Sequence, residues 1–94
     1  MAEVNQEAIE KAMQEIKERK QMYLTVFDSA EGKKVLEDLG RLAFINRTTF
    51  NDNPQKMAFH EGQRSIILHI QSMMKIDLEK TEAMIKKQSQ QEKE

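Results

Sequence analysis

The run Asn53–Leu78, NPQKMAFHEGQRSIILHIQSMMKIDL, reads as one long helix with a defined start. Asn53 suits the N-cap, where its side chain accepts a backbone N–H, and Pro54 fits the first helical position, where an N–H has no intrahelical partner. At about 100° per residue, Phe59, Gly62, Ile66, Ile70 and Met73 fall on one stripe, with Ile67, Met74 and Leu78 on a second beside it. A face that broad predicts a central helix with others packed around it. Asp77 falls on the main stripe, so core packing is expected to stop near it. Met84 and Ile85 would extend the rod. Residues 1–78 are expected to form a single helical domain, and 79–94 a charged helical extension or a disordered tail.

Upstream, Glu3–Tyr23 places Ile9, Ala12, Met13, Ile16 and Tyr23 on one face, which Leu24 and Phe27 continue. The stripe is narrow, so this helix is expected on the outside of the fold or against another subunit. Lys20 interrupts it, with a stem long enough to lie on the core while its ammonium stays in water. Asp28 and Glu31 form a capping-box pattern that starts a second helix, with Val35, Leu36, Leu39, Leu42 and Ala43 at helical spacing. Gly32 and Gly62 both fall on inward stripes. A helix-interior glycine costs about 1 kcal/mol against alanine, so the pair predicts a close crossing of the second and third helices. Phe44–Asp52 has no sustained period and ends in turn formers. Phe44, Ile45 and Phe50 are expected to fold back and plug one end. The fold expected is all-α: a small three-helix bundle, Val4–Tyr23, Ser29–Ala43 and Pro54–Leu78 or longer, around a long central third helix.

Composition bounds the function. In 94 residues, 33% are charged and 5% aromatic, with no cysteine and a net charge of −1. The absence of cysteine removes disulfides and thiolate zinc sites. Near-neutral charge removes the field that draws a protein onto nucleic acid or an anionic membrane. No apolar run approaches the roughly 18–20 residues that span a bilayer, and MAEVNQEAIEK lacks a signal peptide's basic start and apolar centre. An intracellular setting is the expectation.

No residue pattern points to catalysis, a cofactor or a metal. His60 and His69 are nine residues apart, which rotates them about 180° from each other on one helix. His60 is expected at the surface and His69 partly buried. Ser29 is explained by capping, and Ser65 has no nucleophile-elbow context. Glycines 32, 40 and 62 are isolated, so none belongs to a phosphate loop. Adjacent His60 and Glu61 diverge on a helix. Lys33, Lys34, Arg41 and Arg47 cluster, but Lys33–Glu37, Lys34–Asp38 and Glu37–Arg41 are i, i+4 opposite-charge pairs, which suits a solvated face better than a phosphate-binding one. Glu61 and Arg64 flank Gly62, and bracing of the connection or contact with a partner chain would explain them.

The series Phe27-Asp-Ser-Ala-Glu-Gly32-Lys-Lys-Val35-Leu36-Glu-Asp-Leu39, then Phe50, Asp52 and Glu61-Gly62-Gln-Arg64, resembles a family of small tailed-bacteriophage proteins typified by a virion-associated gene of a Bordetella phage. The resemblance covers Phe27 to Met74. Gln63 departs from it, standing where an arginine is usual. It implies a phage structural or virion-associated protein without enzymatic activity, acting in the host cytoplasm during infection or in the virion. The expected partner is protein, either a particle component or a second copy in an oligomer, with no small-molecule substrate, no membrane and nucleic acid disfavoured. Phe27, Gly32, Phe50, Glu61, Gly62 and Arg64 are the candidate interaction or fold-motif residues. A regulator or inhibitor that binds a host protein is the alternative, and a nucleic-acid-binding accessory the second.

Overall fold

A computed structural model describes residues 5–45 and 47–91 of the chain. All regular secondary structure among them is helical: α1 Gln6–Phe27, α2 Ala30–Leu42, α3 Pro54–Met74 and α4 Leu78–Gln91. The all-α expectation holds, with four helices where three were expected.

Each boundary follows from a cap. The Asn5 side chain accepts the Ala8 N–H at 3.2 Å to open α1. The helix continues past Tyr23 because nothing breaks it before Asp28, whose N–H donates to the Leu24 carbonyl at 2.8 Å. Asp28 therefore closes α1 and does not cap α2. Ser29 takes that role, its hydroxyl accepting the Gly32 N–H at 3.0 Å and donating to the Val26 carbonyl at 3.1 Å. Asn53 caps α3 as expected, accepting from Gln55 at 2.9 Å and Lys56 at 3.3 Å, with Pro54 in the first turn.

The run from Asn53 is not one rod. α3 stops at Met74, and Asp77 opens α4 by accepting the Lys80 N–H at 3.1 Å on its side chain and the Thr81 N–H at 3.0 Å on its carbonyl. Aspartate favours such local bonding over a helix interior, so the acid that interrupts the stripe also restarts the chain in a new direction.

The organising helix is α1. It packs against α2, α3 and α4, α2 also packs on α3, and among the described residues α4 packs on α1 alone. The expectation of a central third helix, with the first on the outside, is therefore overturned. At 22 residues, or about 33 Å, α1 is long enough for its narrow stripe to serve three partners at different heights. Lys20, on that stripe, is half-buried, and its Nζ donates to the Ile76 carbonyl at 2.6 Å, in the corner between α3 and α4.

The product is an open layer. The Cα extents are 52 × 35 × 15 Å and the radius of gyration is 17.9 Å, against about 12 Å for a compact chain of this length. Accessible surface is 7501 Å², against about 5,600 Å² for a compact protein of this mass. The buried apolar side chains are Ile9, Ala43, Ile67 and Met73. On α3 the burying face is thus the Ile67 side, with Ile70, Gln71 and Met74 half-buried. Phe59 (64% exposed) and Ile66 (62%), placed on the main inward stripe by the sequence, face solvent.

The two glycines do not meet. Gly32 is buried in the α1–α2 corner, where an added Cβ would overlap the Val26 carbonyl oxygen and sit 2.8 Å from the Phe27 Cα. Gly62 is exposed, with nothing within 4 Å of where its Cβ would lie. The expected crossing of α2 on α3 through both is absent; the first glycine serves a tight corner and the second packs against nothing among the described residues.

Candidate contact surface

Phe44 is the residue that shapes the α2–α3 connection. Its φ of 61° lies in the left-handed region, a strained choice for a bulky residue. The ring is held on two sides, by His60 at 4.3 Å between centroids and by the Arg47 guanidinium at 4.3 Å. Arg47 also donates to the Arg41 carbonyl at 2.8 Å, which fastens the connection to the end of α2. Phe50, expected to share this plug, is 71% exposed. The histidines reverse their expected places: His60 is half-buried under Phe44, and His69 is exposed, edge-on to Tyr23 at 5.9 Å.

The six candidate residues separate into distinct places. Half-buried Phe27 ends α1, stacked with Tyr23 at 6.4 Å, and Gly32 lies just across the corner. Exposed Glu61 accepts a hydrogen bond from the Thr49 hydroxyl, bracing the connection against α3. Phe50 and Gly62 face solvent, while Arg64 is half-buried. No Glu61–Arg64 ion pair forms among the described residues. Nothing brings the six together around one point in space.

An open groove of about 670 Å³ runs between α2 and α3. Phe27, Leu36, Ile45, Leu68 and Met74 supply its apolar lining, and Lys33, Glu37 and Arg41 sit along it. The bases there are matched by acids: Arg41 lies 3.2 Å from Glu37 and 3.0 Å from Asp38, and Lys33 lies 3.6 Å from Asp28. Lys34 is at 4.0 Å from Glu31. Of the i, i+4 pairs read from the sequence, Glu37–Arg41 forms, while the two lysines turn to nearer acids. Exposed pairs like these add about 0–1 kcal/mol each; their main effect is to cancel positive potential along α2.

Much of the remaining surface is apolar. Met22 and Val26 stand a turn apart on α1, Val35, Leu39 and Leu42 form an exposed stripe on α2, and Phe59 and Ile66 project from α3. Sequence reasoning missed the α2 stripe because it assigned every apolar residue of that helix to the core. The inward positions are Gly32, Leu36, Gly40 and Ala43, one step round the helix. Among the described residues no three of His, Asp or Glu gather as metal ligands, and no helix is long and apolar enough to cross a membrane.

The structure thus defines a small all-helical protein with several exposed apolar faces and no convergent set of reactive side chains among the described residues. The family model for Bbp19-like phage protein matches residues 23–86, and the chain belongs to that family. The match takes in α2, α3 and most of α4, but only the last turn or so of α1. Comparison with curated proteins and with solved structures returns no match.

Proposed function

We propose that this phage protein is a structural or virion-associated accessory that works by binding other protein, with no catalytic step, cofactor or metal. The observation that carries the reading is the open layer. An 11.0 kDa chain leaves 7501 Å² accessible and keeps large apolar side chains exposed on α1, α2 and α3. Exposed apolar side chains grouped on helix faces suit contact surfaces. Membership of a phage family supports a setting in the host cytoplasm during infection or in the assembled particle.

Quantitative mass spectrometry of purified particles tests the reading. A fixed copy number per particle that survives density-gradient purification is expected. Absence from particles together with early expression would replace it with the other contact-based reading, a regulator that binds a host protein.

A further inference from the structure

We infer that the outward face of α3 docks a second copy of this chain, antiparallel, with Ile66 of each copy seated over Gly62 of the other. This deepens the contact reading by assigning it one surface and one occupant.

Three observations lead there. Ala58, Phe59, Gly62, Ser65, Ile66 and Ser72 are all exposed on α3. In a chain that is 33% charged, Glu61 is the one exposed Asp, Glu, Lys or Arg between Ala58 and Met74. Depletion of charge distinguishes the centre of an interface, and a face with so little charge meets its own copy without strong repulsion.

The second observation is Gly62. Glycine in a helix interior is less stable than alanine, and nothing within the described chain occupies the space its Cβ would take. The bare position is used only when another backbone or a bulky side chain comes close from outside.

Register is the third. Ile66 projects one turn along the same face, so knob and hole lie four residues apart on one helix. A two-fold axis at the height of residue 64 places each knob over the other copy's hole, leaves the two Ser65 residues about 3 Å apart along the helices, and sets Ala58 about 3 Å along from Ser72 of the second copy. An unrelated partner would have to carry the matching bulge, whereas this chain carries both halves. Surface is sufficient as well. The chain exposes 7501 Å², about 1,900 Å² above a compact protein of its mass, and a stable pair covers about 800 Å² on each partner.

The lack of cysteine makes the test direct. Under mild oxidation at micromolar concentration, Ser65→Cys is expected to give a covalent dimer. Ala58→Cys is expected not to, since its counterpart stands about 18 Å away along the helices, while an equimolar mixture of Ala58→Cys and Ser72→Cys cross-links. In sedimentation at tens of micromolar, the wild-type chain should be dimeric and Ile66→Glu monomeric, with unchanged helical circular dichroism because Ile66 is 62% exposed. A monomeric wild-type chain would overturn the inference, as would a dimer indifferent to Ile66→Glu or equal self-cross-linking at positions 58 and 65. A monomer that is nonetheless found in particles removes the pairing and leaves the contact reading standing. A dimer missing from particles does the reverse.

Discussion

The Lys20 ammonium donates to the Ile76 main-chain carbonyl at 2.6 Å, joining the middle of α1 to the corner between α3 and α4. It ties together residues 56 positions apart in the chain. The bond satisfies a carbonyl at a helix break, where α3 has ended and α4 has yet to start. Replacing Lys20 by Met keeps the stem's packing and removes the bond. The expected loss is about 1 kcal/mol, below the roughly 1.5–3 kcal/mol of a hydrogen bond to a charged group because the site is only part-buried. Urea unfolding should show a lower midpoint, and hydrogen exchange should rise in α4 more than in α2.

Gly32 and Gly62 make a paired prediction of opposite sign. Gly32→Ala forces a methyl group into the Val26 carbonyl and the Phe27 backbone, and overpacking against main chain should cost about 3 kcal/mol. Gly62→Ala meets open space and should stabilise the isolated chain by up to about 1 kcal/mol through helix propensity. Thermal melts at a dilution where the chain is monomeric compare the two. Equal effects would contradict the placement of both residues.

Asp77→Ala removes the side-chain acceptor for the Lys80 N–H at the start of α4. Loss of an N-cap costs about 1 kcal/mol. Because α4 packs on α1 alone among the described residues, the damage should stay local. The α4 amides are expected to lose exchange protection while those of α2 and α3 keep theirs.

Phe50→Ser should leave stability within about 0.5 kcal/mol of the wild-type value, since that side chain is 71% exposed. Phe44→Ser should cost about 1–2 kcal/mol by removing the ring held between His60 and Arg47, where aromatic and cation–π contacts each contribute about 0.5–1.5 kcal/mol. Chemical denaturation of both variants checks the contrast.

What the sequence revealed and what it hid have physical causes. Local rules worked: Asn53 and Pro54 open α3, Glu37 pairs with Arg41, and the family motif from Phe27 to Arg64 lies within the matched region. Periodicity named apolar stripes without saying which one finds a partner. On α3 the first stripe divides, with Phe59 and Ile66 in solvent while Ile70 is half-buried and Met73 buried, and the second has Ile67 buried and Met74 half-buried. Asp77 was visible as an interruption, but whether an acid ends a core or caps a new helix depends on where the next segment packs. The centrality of α1 was hidden for the same reason. A narrow stripe can serve three helices when they meet it at different heights, and stripe width carries no record of height.

The openness of the layer, with α1 as common partner and apolar faces left uncovered, is tested most directly by small-angle X-ray scattering from monomeric chain, either dilute wild type or Ile66→Glu. The open layer predicts a radius of gyration near the Cα value of 17.9 Å. A value near the roughly 12 Å of a compact chain this long would mean that the apolar faces close on one another, leaving no surface for a partner.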